Sequence, residues 1–132
     1  MIEAQGGDSR AFDDRSRLPC AAIQSTLESD ADGFISALDA LTVAHAATLL
    51  GAGRERKGDP IDLSVGVVLQ AKIGDSVSRG QPLAILHAND ETRLAAASQA
   101  LRGAVTIGQQ RVAPPPLIIE RLPADPSAGS RR

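Results

Sequence analysis

Aromatic side chains are almost missing from this chain: 132 residues include Phe12 and Phe34 but no tryptophan or tyrosine. A core must therefore be assembled from Ala, Leu, Ile and Val, through many small contacts rather than a few large rings. Hydrophobic residues still make up 42% of the chain, and a chain of this length buries about two thirds of its unfolded surface around one core. One domain over residues 1–122 is expected, followed by a disordered tail over residues 123–132, where Pro, Ser, Gly and Arg dominate.

The same shortage of rings argues against stacking on bases or sugars. Fourteen Lys and Arg face sixteen Asp and Glu, for a net charge of −2, and the basic residues are scattered except over residues 54–57 and at the C-terminus. Neither nucleic acid nor membrane is expected as a partner. Cys20 has no second cysteine to pair with, and His45 and His87 lie far apart. The sequence therefore holds no metal-ligand spacing, and neither a metal site nor a cofactor is expected. Residues 1–10 lack an apolar run, which excludes a signal peptide or membrane span there and fits a cytoplasmic protein.

Residues 1–19 carry Gly6-Gly7 without sustained periodicity, so loops with one short helical turn are expected. Residues 21–38 suggest two short strands joined by the turn Asp30-Ala31-Asp32-Gly33. Asp39 is placed to cap a helix over residues 40–50, with Leu41, Ala44, His45, Thr48 and Leu49 on one face and Gly51 as its stop. Ile61, Leu63, Val65, Val67 and Leu69 alternate as in a half-buried strand. Turn signals at Gly74-Asp75 and Gly80-Gln81 bracket Val77 ahead of a strand over residues 83–88, which together read as a compact meander. Asn89 or Asp90 caps a second helix over residues 91–104, with Leu94, Ala97, Leu101 and Val105 on one face. A short strand within residues 106–111, an extended Pro114-Pro115-Pro116 connection and an edge strand over residues 117–122 complete the reading. The class is α+β, a mostly antiparallel sheet with a hammerhead or barrel-sandwich-like meander and two principal helices.

Residues 51–57 form the segment closest to chemistry. Gly51 and Gly53 free backbone N–H groups beside Arg54, Arg56 and Lys57, a combination suited to an anion or to a mobile cleft-facing loop. The segment lacks the Walker order of glycines, lysine and hydroxyl, and its bland reading is a helix C-cap running into a polar loop, since carbonyls point out of that end. His45, His87 and a buried Cys20 are read as structural, and the pairs Asp13-Asp14 and Asp59/Asp62 as solvated or capping groups. No residue is assigned a catalytic role. The meander over residues 72–89 also has the look of biotinyl and lipoyl carriers, which would make the chain a non-enzymatic binding or adaptor module. Such carriers need a lysine on an exposed hairpin, and the matching turn here is Ala88-Asn89-Asp90.

Five separated strings converge: QGGD over residues 5–8, LP at 18–19, GFISALDA at 33–40, LGAGRERKGDPIDLSVG at 50–66 and KIGDSVSRGQPLAILHAN at 72–89. In order and spacing they resemble the C-terminal portion of thymidine and pyrimidine-nucleoside phosphorylases, over roughly residues 2–108. Ala44 and His45 depart from the family, which usually has Gly and an apolar residue there. The resemblance implies an α+β domain of an enzyme that cleaves a pyrimidine nucleoside with phosphate as co-substrate, releasing the base and a pentose 1-phosphate. It places the phosphate- and base-holding residues upstream of this region, so the chain resembles a fragment, a separated domain or a product of internal initiation, inactive alone. Its implied partner is the N-terminal portion of such an enzyme, or a second copy. Gly51, Gly53, Arg54, Arg56 and Lys57 resemble a segment that orders near the cleft on domain closure.

Overall fold

The computed structural model describes residues 1–54 and 56–121; the expected tail over residues 123–132 lies outside them. Among the described residues, six strands and two α-helices succeed one another as β1 (Ile23–Glu28), β2 (Gly33–Leu38), α1 (Ala40–Ala47), β3 (Gly66–Leu69), β4 (Ser76–Val77), β5 (Pro82–Ala88), α2 (Glu91–Ala104) and β6 (Val105–Gly108). The strands form two antiparallel sheets, ordered β1-β5-β3 and β4-β2-β6. The expected α+β class, antiparallel pairing and two principal helices are all present.

β1 and β2 do not pair with each other: the turn between them hands the chain from one sheet to the other. It is locked to the turn before β5, since Ser29 N–H donates to the Gln81 carbonyl at 2.9 Å and Gly80 N–H donates to that of Ser29 at 2.8 Å. Arg79 adds two bonds, its N–H to Asp32 Oδ1 at 2.9 Å and its Nε to the Asp30 carbonyl at 2.7 Å. Ser29 is buried but its hydroxyl donates to the Ala31 carbonyl, so its polarity carries no unmet desolvation cost.

The core divides along β5. Successive strand residues point to opposite faces, so Ala84, Leu86 and Ala88 join Leu27, Ala46, Leu50, Ala97 and Leu101 between the first sheet and the helices. Leu83 instead packs with Ile35, Ala71 and Val77 between the sheets. The largest fully buried side chains are all aliphatic, Leu27, Ile35, Leu86 and Leu101, each stabilising the fold by about 1.5–3 kcal/mol relative to exposure. Alanines let α1 and α2 come close to each other and to the sheet.

Several expectations are corrected. The alternating run over residues 61–69 is strand only from Gly66 onward, because Asp62 Oδ1 accepts the Ser64 N–H at 2.9 Å and bends residues 62–64 into an Asx turn. Leu63 is left exposed. The side of α1 turned to the core is Val43 and Ala46, continued by Leu50 in the turn that follows; of the expected face, Leu41, Ala44 and His45 are exposed and Thr48 half-buried, while Leu49 does pack against the core. Leu41 sits in the first turn, before the helix passes beneath its partners. Residues 117–121 form no strand, with Leu117 and Ile119 exposed and no neighbouring edge paired to them. Residues 1–19 make three short 3-10 turns, Glu3–Gln5, Ser9–Phe12 and Arg15–Arg17, where one was expected. Asp8 and Asp14 supply the caps that sequence periodicity does not register. Among the described residues no helix is long and apolar enough to cross a membrane.

Candidate functional site

α1 begins where Asp39 Oδ2 accepts the Thr42 N–H at 3.0 Å and also bonds the Thr42 hydroxyl. It ends by widening into one π turn, Thr48–Ala52, and Gly51 terminates it at φ +109°. This is left-handed territory that a side chain occupies only with strain. Space is limiting too: a Cβ on Gly51 would lie 3.0 Å from an Arg93 guanidinium nitrogen, and one on Gly53 would lie 2.6 Å from Thr48 Oγ1. The two glycines therefore let the chain fold back tightly over the end of α1.

The loop beyond Gly53 is braced around Asp59. Its carboxylate accepts the Arg56 N–H at 2.7 Å, its own N–H donates to the Arg56 carbonyl at 3.2 Å, and its carbonyl accepts from Arg54 Nε at 3.2 Å. At the neck, Asp62 N–H donates to the Gly51 carbonyl at 3.0 Å. Between this loop and the start of α2 lies an open cleft of about 470 Å³, whose walls include Thr48, Gly51, Gly53, Asp59, Thr92 and Arg93.

Of the residues singled out in the sequence, Gly51 and Gly53 line that cleft, while Arg54, Arg56 and Lys57 stand exposed on the loop. Gly51 lies within the π turn that follows α1, and Arg54, Arg56 and Lys57 come after it on the loop. Arg93 was not among the candidates. It reaches the cleft because Asp90 Oδ1 accepts its N–H at 2.8 Å and fixes the first turn of α2 there. An arginine three residues past a capping aspartate is the one signal that could have marked it.

A polar clasp lies beside the cleft. Asp62 Oδ1 also accepts the Ser64 hydroxyl at 2.6 Å, and Asp62 Oδ2 accepts from Asn89 Nδ2 at 2.8 Å. Asn89 Nδ2 reaches Ser64 Oγ at 2.9 Å, and Asn89 Oδ1 accepts the Ala22 N–H at 2.8 Å. The Ser64 hydroxyl, then its N–H, the Asn89 amide and the Arg93 charge hold the Asp62 carboxyl below the usual carboxylate range. Asn89 thereby occupies the turn where a carrier would need its lysine, and its side chain is committed to holding three segments together. The carrier reading is not favoured.

The other candidates stand apart. His45 is exposed on α1, and His87 lies half-buried in β5 opposite Gln24 and Gly66. Cys20 is exposed, not buried, its Sγ donating to the Leu18 carbonyl at 3.4 Å, because it precedes β1 rather than entering the sheet. Thr48, the cleft hydroxyl nearest the loop, is engaged with the Ala44 carbonyl at 3.1 Å. The described lining residues of the cleft present charge and hydrogen-bonding groups, Asp59, Thr92 and Arg93 among them.

Comparison with known proteins fits this geometry. The family model for the pyrimidine nucleoside phosphorylase C-terminal domain matches residues 34–108, which carry nearly all of β2, then α1, the cleft loop, the meander, α2 and β6. The pyrimidine-nucleoside phosphorylase of Bacillus subtilis (strain 168) is 48% identical over 91 residues, covering 69% of this chain and 21% of the relative. That of Geobacillus stearothermophilus is 40% identical over 122 residues, 92% of this chain and 28% of the relative. The chain thus spans between about a fifth and under a third of the length of these curated relatives. By sequence match and by the helices and antiparallel strands that carry it, the chain belongs to the pyrimidine nucleoside phosphorylase C-terminal domain family.

Proposed function

We propose that this chain works as the C-terminal domain of a cytoplasmic pyrimidine-nucleoside phosphorylase, in which residues 51–59 close over a substrate cleft completed by an upstream portion. The observation that carries the reading is the 40% identity with such an enzyme over 92% of this chain. In phosphorolysis, phosphate attacks the anomeric carbon of a thymidine- or uridine-like nucleoside, the glycosidic bond breaks, and the base leaves with the bonding electrons. Rate then depends on positioning the phosphate and stabilising charge on the departing base. The upstream portion supplies those two sites. This chain supplies the loop bearing Arg54, Arg56 and Lys57, whose closure excludes water and holds the anionic reactant. Phosphate is a co-substrate, and no cofactor takes part.

The chain alone is expected to release no base from thymidine or uridine with phosphate. Adding a Geobacillus stearothermophilus phosphorylase truncated before its matching segment should give a sedimenting complex and restore base release. Turnover by the chain alone that disappears in Arg54→Ala or Lys57→Ala would place the active site here and overturn the reading. Absence of any complex would overturn it as well, and favour an independent module.

A further inference from the structure

We infer that Asp62 is the positioning residue of the cleft loop, a clamp that fixes the neck of residues 52–61 to both the first sheet and α2. The two ends of that segment meet at the Asp62 N–H to Gly51 carbonyl bond of 3.0 Å. A single backbone bond at the neck of a polar loop opens locally unless it is braced; here the side chain of the same residue anchors it. The Asp62 carboxylate takes three donors, the Ser64 N–H, the Ser64 hydroxyl and the Asn89 amide, at 2.9, 2.6 and 2.8 Å. Through Ser64 it holds the approach to β3, and through Asn89 and the Ala22 N–H the approach to β1. Arg93 flanks the neck: one of its guanidinium nitrogens lies 3.0 Å from where a Cβ on Gly51 would stand. Asp62 therefore ties the end of α1, through its N–H, to the approaches to β1 and β3 and to Asn89, which precedes the Asp90 cap of α2.

A carboxylate accepts at both oxygens, whereas an amide must present one NH₂. Asp62→Asn consequently sets a donor against Ser64 or against Asn89, leaving the volume unchanged. The clamp is a property of this chain alone. Its consequence for turnover rests on the proposed role of residues 51–59, and the two are tested separately.

Hydrogen exchange of the whole chain reads the clamp. Asp62→Asn should speed exchange of the residue 62 amide and of the bonded loop amides of Arg56 and Asp59 about tenfold or more, while those of Ala97, Leu101 and Leu86 keep their protection. Unchanged loop exchange, or a uniform rise across loop and core, would overturn the assignment, the second outcome marking a general structural role. Should Asp62→Asn not fold, Ser64→Ala removes one donor to the carboxylate and leaves the other two bonds, and it is judged by the same local rise. Reconstituted turnover then separates the readings. Faster loop exchange with unaltered kcat and KM keeps the clamp and removes the closing role of the loop; a raised KM for phosphate supports both.

Discussion

α1 and α2 start from the same device, an aspartate accepting the N–H three residues on, Asp39 from Thr42 at 3.0 Å and Asp90 from Arg93 at 2.8 Å. They finish differently. α2 keeps its regular turns over residues Glu91–Ala104 and passes straight into β6, whose first residue, Val105, still donates to the Arg102 carbonyl. α1 runs only Ala40–Ala47, opens into a π turn and stops at Gly51. Like starts with unlike ends separate two jobs: α2 ties the helical layer to the second sheet, whereas the end of α1 makes one wall of a cleft. The cap decides where a helix begins, and the residues at its far end decide what it builds.

The contrast breaks most strongly in the layer both helices share. Leu101 on α2 is fully buried, and Leu101→Ala should cost about 2–5 kcal/mol in urea unfolding. Leu41→Ala, on the exposed first turn of α1, should stay within about 0.5 kcal/mol. A comparable cost at both positions would mean that α1 buries its Leu41 face after all. Next in size, Gly51→Ala forces a side chain to φ +109° and toward Arg93, with an expected loss of about 1–2 kcal/mol. No loss would mean that the α1 terminus relaxes without a glycine.

The start of α1 is tested by pH. The Thr42 hydroxyl, then the Thr42 N–H, hold the Asp39 carboxyl below its ordinary value of 3.8. A folded-state value below the unfolded one means that the stabilisation is complete above the unfolded value and is lost as pH falls through the folded one. Urea midpoints should therefore be flat near neutrality and decline below about pH 4. Asp39→Asn keeps an N-capping side chain that does not titrate, so its acid decline should be shallower than that of the parent chain. Identical acid limbs would mean that Asp39 contributes nothing to the pH dependence.

α2 was fully legible in the sequence because its signals agree: a capping Asp90, no β-branched run, and Leu94, Ala97 and Leu101 at helical spacing. α1 was legible at its Asp39 start, but not in its end, since the expected helix over residues 40–50 gives way to a π turn at Thr48, nor wholly in its face. Where Ala fills half the positions, hydropathy scarcely distinguishes Ala44, which is exposed, from Ala46, which is buried. The alternation over residues 61–69 matched a strand, but an Asx turn at Asp62 satisfies the backbone locally and competes with pairing. In the run over residues 117–121 the apolar content was visible, and the lack of a neighbour to pair with was not. The cleft was half visible: Gly51 and Gly53 announce a turn, whereas Asp62, Asn89 and Arg93 meet only once β3, β5 and α2 have been brought side by side. Their partners lie 2 to 67 residues away, beyond any periodicity in one segment.

The ladder between β1 and β5 joins residues 23–28 to residues 82–88, and that between β2 and β6 joins residues 34–38 to residues 105–108. Not one pair of strands lies wholly within residues 1–75, since even the nearest partner of β2 is Ser76–Val77. On a ribosome, synthesising about 5–20 residues per second, β1 and β2 emerge seconds before anything they can pair with. Both then present unpaired edges while only α1 is able to form. Loop closure over such separations slows folding, so assembly of this domain waits for β5 and then for β6. A nascent chain halted before residue 82 should be held by chaperones rather than pass as a folded intermediate.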